Sequence, residues 1–345
     1  MKVEIVTSAH WPGDPRLNRH RAYLQDEGHQ VSLQSFSDRF RANAVLASLA
    51  RILGGEMDVV ILADPELFLV GSLAARLRGA RPVIDIHEDY AKVAAGRNWV
   101  PRILRPLVGW AARLMVGMGR LAASSVLVAA PQLARRKDVV VLNVPDPSRF
   151  PHTDESPKSQ LVYVGDITEA RGALEMVETM GRVAEEVDLL LIGRVGPDTR
   201  SAIESAAEST GVTGRVLLTG RLEHGAAWGE AAGSLAGLSL LRDVPAYREA
   251  VATKLWEYMA AGIPPIVSDL PGQRAVVSRL SPDLVCSGPD DVASIVHRLQ
   301  TQPGLRRDLI ERGREMAEAT WHHWRPDLAL NSVVSPPADH EHHRL

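Results

Sequence analysis

The run Glu249-Ala-Val-Ala-Thr-Lys-Leu-Trp-Glu-Tyr-Met-Ala-Ala-Gly-Ile-Pro-Pro-Ile-Val-Ser-Asp-Leu-Pro-Gly272 decides how this chain is read. It divides into one short helix and one buried strand. Thr253 suits an N-cap, and Gly262 with Pro264 stops the helix two turns later. Ile266 to Ser268 then forms a brief apolar strand. Lys254 in the first turn and Glu257 three residues on project from one side. A helix N-terminus with a lysine beside it favours an anion, above all a phosphate. A carboxylate one turn deeper can accept hydrogen bonds from paired hydroxyls such as those of a ribose. Together they describe a seat for a nucleotide diphosphate, although an isolated Lys-x-x-Glu is more often a solvated pair of small energetic weight.

Outward from this segment, the chain alternates strand and helix. Strands are expected over residues 3–7, 31–34, 59–62, 83–86, 125–129 and 139–142, with helices over 16–26 and 67–78, the rhythm of a doubly wound parallel sheet. A stretch rich in Pro, Asp and Ser breaks the rhythm, and 146–160 reads as a linker. Strands then resume over 161–164, 189–192, 216–219, 238–241 and 266–268, followed by amphipathic helices over 290–299 and 305–319. The fold class is thus α/β. The expected domains are 1–145 and 161–319, with a helix over 320–334 and a disordered tail over 335–345. The 345 residues suit two cores of roughly 150 residues each. His340, His342 and His343 in the tail are a weak basis for a metal site.

Composition excludes several classes. A net charge of −3 gives no general attraction to nucleic acid. The single cysteine, Cys286, rules out an internal disulfide and a cysteine-based zinc site. No Gly-x-Gly-x-x-Gly follows a strand, which argues against a dinucleotide cofactor, and no Asp-x-Asp is present to hold a divalent ion. No cofactor and no catalytic metal are expected. The chain enters a strand at once and has no long apolar run, so the expected compartment is the cytoplasm.

The opening segment resembles the donor-binding signature of retaining glycosyltransferases of the GT-B fold, specifically glycosyltransferase family 4. Members carry a Pro-x-Lys-x-x-Glu-Tyr-Met-Ala-Ala-Gly-x-Pro run, and Ala252 stands here where the proline is usual. Glu249 and Glu257 also meet the family's Glu-x7-Glu spacing. The resemblance implies two Rossmann-like domains facing each other across a cleft, the first on the acceptor side and the second binding the nucleotide sugar. It also implies that the helix over 320–334 crosses back to the first domain and that no metal is needed on the donor phosphates.

Other segments extend the resemblance. Leu161-Val-Tyr-Val-Gly-Asp-Ile-Thr-Glu-Ala-Arg-Gly172 brings Gly165 and Arg171 to a strand end, and arginine is suited to bidentate contact with phosphate. In family 4 the matching basic residue stabilises the leaving diphosphate. Gly193 and Gly220 end the next two strands, where they either permit close approach to the nucleotide or make simple strand-to-helix turns. His10-Trp-Pro-Gly-Asp-Pro-Arg-Leu17 resembles a His-x(n)-Asp-Pro-Arg loop. Gly13 would allow close approach to the donor, while Asp14 and Arg16 would contact the acceptor or lock the loop. Asp14 before Pro15 also reads as an ordinary N-cap, the favoured role. Val83-Ile-Asp-Ile-His-Glu-Asp-Tyr90 places Asp85, His87 and Glu88 at a strand end, and the related run faces the transferred sugar and acceptor. One segment departs: Ile61 and Ala63 stand where the family carries histidines.

From Tyr90 to Lys137 there is no acidic residue, while Lys92, Arg97, Arg102, Arg105, Arg113 and Arg120 are basic. Trp99, Ile103, Leu107, Trp110 and Leu114 follow a helical spacing. Three readings stand: residues 92–120 lie on an anionic membrane surface, they attract a phosphorylated or lipid-linked acceptor, or the apolar stripe packs onto the sheet and the arginines are solvated.

The expected activity is transfer of a sugar from a nucleotide diphosphate sugar, a UDP-sugar favoured, to a hydroxyl on a saccharide, lipid-linked or small natural-product acceptor, with retention. The resemblance assigns Arg171 and Lys254 to the phosphates, Glu257 to the ribose, Glu249 to sugar hydroxyls, and His87 with His10, Asp14, Arg16 and Glu88 to the sugar or acceptor side. The alternatives are a non-hydrolysing nucleotide-sugar epimerase and a catalytically silent GT-B partner subunit.

Overall fold

The computed structural model describes residues 1–95, 100–151, 158–245 and 247–335. Arg97, Trp99, part of the expected linker and the histidine-bearing tail lie outside them. The chain forms two compact units, Met1–Asn143 with Trp324–Leu345, and Val144–His323.

The first unit is a parallel sheet of β1 (Lys2–Thr7), β2 (Gln30–Ser35), β3 (Val59–Leu62), β4 (Arg81–Ile86), β5 (Ser125–Val128) and β6 (Val139–Val140), in the order β2-β1-β3-β4-β5-β6. β3 is buried throughout and β1 beyond its first residue, as strands covered on both faces must be. Right-handed crossovers put α1 (Pro15–Asp26) on one face and α2 (Arg41–Gly54), α3 (Pro65–Leu77) and α5 (Arg105–Ala122) on the other, with the short α4 (Tyr90–Ala95) against α5. The sequence pattern names no helix between β2 and β3. α2 occupies that stretch, and its sheet side is made of Ala44, Ser48 and Ile52, too small and mixed to give a clear apolar period.

α5 overturns one of the three readings of its segment. The side chains that face inward are Gly109, Ala112 and Gly119, whereas Leu107, Trp110 and Leu114 are exposed. A Cβ on Gly119 would lie 2.4 Å from the Cβ of Phe68, so α3 and α5 approach too closely for larger residues there. The large apolar stripe is turned away from the sheet.

The second unit is a parallel sheet of β7 (Lys158–Val164), β8 (Asp188–Ile192), β9 (Val216–Gly220), β10 (Ser234–Ser239), β11 (Pro265–Ser268) and β12 (Val285–Cys286), in the order β12-β11-β10-β7-β8-β9. Its helices are α6 (Ala173–Met180), α7 (Pro197–Ser209), α8 (His224–Ala231), α9 (Thr253–Ala260), α10 (Pro271–Leu280), α11 (Pro289–Thr301) and most of α12 (Pro303–Trp324). The last helix, α13 (Pro326–Val334), packs on α1 and β6 of the first unit, where Asn331 bonds His29 at 2.8 Å and Glu27 at 2.9 Å. Residues 146–151, expected as linker, belong to the second unit, which begins at Val144: Phe150 is buried with its ring 5.1 Å from that of Trp228.

β10 starts four residues before the expected 238–241. Its register is set by Gly237, over which the Tyr258 ring lies so closely that a Cβ would come within 2.5 Å of it. The Tyr258 hydroxyl accepts from the Val164 N–H at 3.2 Å and faces the Val162 and Leu238 carbonyls, bridging β7 and β10 where their pairing ends. Among the described residues no helix is long and apolar enough to cross a membrane. Gly237→Ala is expected to cost about 1–3 kcal/mol through overpacking against this ring. A urea titration that leaves the midpoint unmoved would show that Tyr258 can retreat.

Candidate functional site

Strand order reverses between β1 and β3 in one sheet and between β7 and β10 in the other, so a crevice opens at the carboxyl ends there. The sequence-predicted residues gather at these two places, and each is described within its own unit.

In the second unit α9 begins at the β7–β10 reversal. Its N-cap is Ala252 and not Thr253, which is already helical; the entry is closed by the Leu255 N–H donating to the Ala252 carbonyl at 3.0 Å, with no capping bond from a side chain at the cap. Its other end is a Schellman motif. Gly262 at φ +70° lets its N–H reach the Met259 carbonyl and that of Ile263 the Tyr258 carbonyl, at 3.1 and 2.8 Å.

Lys254 does not project into solvent beside Glu257. It is 9% exposed, and its Nζ lies 3.4 Å from the centre of the Tyr163 ring with no hydrogen-bond partner among the described residues. Burial pushes its pKa well below the ordinary lysine value, and Arg171 adds to the effect while Glu257 and Asp166 oppose it. A cation–π contact offsets part of the burial, but the three N–H donors of an ammonium remain open. Gly165, φ +138°, passes beside it, and a Cβ there would stand 3.3 Å from Nζ. Gly193 is equally constrained, since its Cβ would meet the Gly165 carbonyl oxygen at 1.8 Å. Gly220 takes φ +72° in open space, and its carbonyl accepts from the Gly193 N–H at 2.9 Å. The three glycines therefore stack the ends of β7, β8 and β9.

Tyr163 joins the two cations of this crevice. Its ring carries Lys254, and its hydroxyl donates to the Asp166 carbonyl at 2.8 Å. Arg171 donates to that same carbonyl at 3.4 Å and bonds the hydroxyls of Tyr163 and Tyr247. Glu257 is half-buried one turn along α9, and Glu249 is exposed in the preceding loop, its backbone packed on Gly272 at the start of α10.

In the first unit the residues form two carboxylate-centred clusters. Asp85, wholly buried at the end of β4, accepts from Arg16 Nε and Nη2 at 2.9 and 2.7 Å, and from Nε2 of His20 and of His87, each at 2.9 Å. Burial alone would raise the Asp85 pKa; Arg16, His87 and His20 together hold it well below the usual range. Burial and the Arg16 charge drive His20 down to about 4, so it is neutral. Asp64 accepts from the Thr7 hydroxyl at 2.6 Å and the Ser8 N–H at 2.7 Å. His10 lies between Asp64 and Asp14, with Nδ1 3.0 Å from the Asp14 carboxylate and Nε2 3.4 Å from Asp64. Burial works against both charges of the His10–Asp14 pair, yet their mutual attraction raises His10 and takes Asp14 down to about 2. Asp14 also caps α1, accepting from the Arg16 and Leu17 N–H groups. The His10 and His87 rings stand 5.0 Å apart.

Arg16 is thus spent on Asp85 and the Val141 carbonyl, Glu88 is exposed beyond the cluster, and Gly13 is overlain by the Trp11 ring. Ile61 and Ala63 are fully buried. Among the described residues no group of His, Cys, Asp and Glu has the arrangement of a metal site.

Comparison with known proteins bears on both units. Residues 146–316 match the model of the family described as glycosyl transferases group 1, nearly the whole second unit. The second unit is a group 1 glycosyltransferase domain. Its fold is similar over 97% of its length to sucrose-phosphate synthase from Thermosynechococcus elongatus (98% of that chain, TM-score 0.73, 15% identity). It is likewise similar to Anabaena HepE in complex with UDP and glucose (97% and 98% covered, TM-score 0.70, 12% identity). A third likeness is to WaaG, a glycosyltransferase involved in lipopolysaccharide biosynthesis (97% and 100% covered, TM-score 0.66, 16% identity). These likenesses give the fold as that of GT-B glycosyltransferases. No sequence among curated proteins matches significantly.

Sequence reasoning missed Tyr163, Tyr247, His20 and Asp64 in this transferase. Tyr163 lay in plain view in the strand before Gly165, but a tyrosine in an apolar strand reads as core until its partners are known. Lys254→Met is expected to raise the unfolding free energy of the ligand-free enzyme by roughly 1–3 kcal/mol, because it removes an unpaired buried ammonium. The unfolded chain keeps the Lys254 proton up to its ordinary pKa while the folded chain sheds it earlier, so wild-type stability rises with pH in that interval and the gap to the variant narrows. Lower stability of the variant at every pH would mean that the fold itself needs the charge. In the first unit, Asp85→Asn strands the buried Arg16 guanidinium and should cost about 3–5 kcal/mol in urea unfolding.

Proposed function

We propose that this glycosyltransferase moves a sugar from a nucleotide diphosphate sugar, with UDP as the favoured nucleotide, to an acceptor hydroxyl with retention at the anomeric carbon. The observation that carries the reading is Lys254, a buried ammonium with three open donors beside the glycine-bounded end of β7. A diphosphate is the ligand class that supplies several acceptor oxygens and enough charge to hold such a group protonated. Arg171, held by the tyrosine hydroxyls and the Asp166 carbonyl, is assigned to the same phosphates, and Glu257 to the ribose. Gly165, Gly193 and Gly220 keep side chains out of the nucleotide's way. Glu249 is assigned to sugar hydroxyls and is free to reorient, being exposed. UDP is favoured because the structurally similar HepE was obtained with UDP and with UDP-glucose.

On the acceptor side His87 and His10 carry the proposal. Both are oriented by carboxylates, and hydrogen bonding to the buried Asp85 or the half-buried Asp14 fixes which ring nitrogen bears a proton. Asp14 and Arg16 hold this wall in place, and Glu88 is left for the acceptor. In the reaction the bond from the anomeric carbon to the diphosphate oxygen breaks and the acceptor oxygen bonds to that carbon. The acceptor proton passes to the departing phosphate on the same face. Lys254 and Arg171 stabilise the negative charge that builds on the leaving group. No cofactor or metal ion is assigned to the reaction, which is placed in the cytoplasm with a peripheral membrane contact through residues 92–120.

Calorimetry with UDP, GDP, dTDP and ADP, each with and without magnesium, tests the reading. One nucleotide should bind saturably without the metal, and its affinity should fall as pH rises toward the ordinary lysine range, since Lys254 must take up its proton. Glu257→Ala should weaken that binding about tenfold or more. Arg171→Ala should lower turnover more than affinity, by about a hundredfold. Absence of binding by every nucleotide would leave the chain as a silent partner subunit.

A further inference from the structure

We infer that the outer surface of α2, α3 and α5 is a single docking face for an anionic lipid membrane, wider than the contact through residues 92–120 on which the inference builds. Among the described residues thirteen of the eighteen exposed large apolar side chains fall between Phe40 and Leu121. They are arranged as stripes and not scattered. On α3, Val70, Leu73 and Leu77 follow i, i+3, i+7 spacing, and Leu77 is 81% exposed. On α5, Leu107, Trp110, Leu114, Met118 and Leu121 run the full length of the helix, with Trp110 59% and Leu121 87% exposed. Leu46 and Leu53 repeat the pattern on α2. The three helices share one face of the sheet and pack side by side, α2 on α3 and α3 on α5. Their outward stripes therefore form one layer, of a kind that a monomer in water does not leave uncovered without a use.

Charge decides what covers it. α2 and α5 contain no acidic residue, and the one acid of α3, Glu66, is neutralised by Arg41 at 2.7 Å. Arg102 and Arg113 are exposed and make no ion pair among the described residues. A second copy of this chain would set like charges against one another across a symmetric contact, whereas anionic headgroups meet the arginines while acyl chains take the apolar stripes. An interfacial tryptophan such as Trp110, apolar with one N–H, suits the boundary between the two. The inward-facing Gly109, Ala112 and Gly119 of α5 explain how the stripe comes to face outward: at Gly119 only a small residue fits where α5 meets α3.

The full chain should be sedimented with vesicles of equimolar phosphatidylcholine and phosphatidylglycerol, and with phosphatidylcholine alone, at low and high salt. Binding to the anionic vesicles at low salt is expected, with loss in the other conditions. Arg102→Gln with Arg113→Gln should reduce partitioning about thirtyfold, ~1 kcal/mol for each charge. Leu107→Gln with Trp110→Gln should abolish it, and so should Leu73→Gln with Leu77→Gln, which lie outside 92–120. All six positions are solvent-facing, so melting temperature and nucleotide binding should be unchanged in each variant, and those measurements separate a failed surface from a failed fold or donor seat. If only the α5 pair matters, the three-helix face is overturned while the narrower contact stands. No binding to anionic vesicles overturns both. A concentration-dependent dimer lost in these variants would give the face to a second copy instead.

Discussion

A buried ammonium without a hydrogen-bond partner is the constraint around which the second unit is organised. Lys254 is brought to the end of β7 by the first turn of α9, and the features around it answer to its charge and position. Tyr163 offers the negative face of its ring, Gly165 clears a path beside it, and Gly193 lets β8 close up behind. Tyr258, one turn further along α9, ties the helix to the splayed strands and is packed on Gly237. A protein selected for stability alone would fill that position with methionine or leucine. Retaining an unpaired charge is intelligible when a ligand completes it.

The first unit solves a different electrostatic problem. Asp85 is wholly buried, and four donors from Arg16, His20 and His87 satisfy it. One carboxylate thereby fixes the start of α1, the end of β4 and the orientation of a histidine at the crevice. Asp64 and Asp14 do the same for His10. The histidines are oriented by groups that are themselves fully engaged, which limits rotational freedom at the wall they form.

Much of this was legible in the sequence, and the failures have physical causes. β1, β3 and β4 are runs of Val and Ile buried on both faces, so their positions follow from the pattern with small errors at the ends. β10 was displaced because its small residues, including Gly237, look less strand-like than the leucines after them. α2 went unseen for the same reason. At the site, Lys254 was identifiable from its segment, but its burial against Tyr163 was not. Helical spacing gives the side of a helix and not whether that side is covered. Arg16 shows the limit in reverse, as an arginine beside a loop whose charge is already taken by Asp85.

The sequence by itself determined the two α/β halves, the Pro- and Asp-rich break between them, and the cluster of Lys254, Glu257 and Gly262 on one short segment. These are local properties: strand and helix periods, turn residues and spacings are set by neighbours in the chain. Only the tertiary structure decided that Lys254 is dry and rests on Tyr163, ninety-one positions earlier in the chain, and that Asp85 draws Arg16 and His20 from another element. It also decided which way the stripe of α5 faces, since a periodic apolar pattern turns inward only where the neighbouring helix leaves room. Between α3 and α5, the contact of Gly119 with Phe68 leaves none.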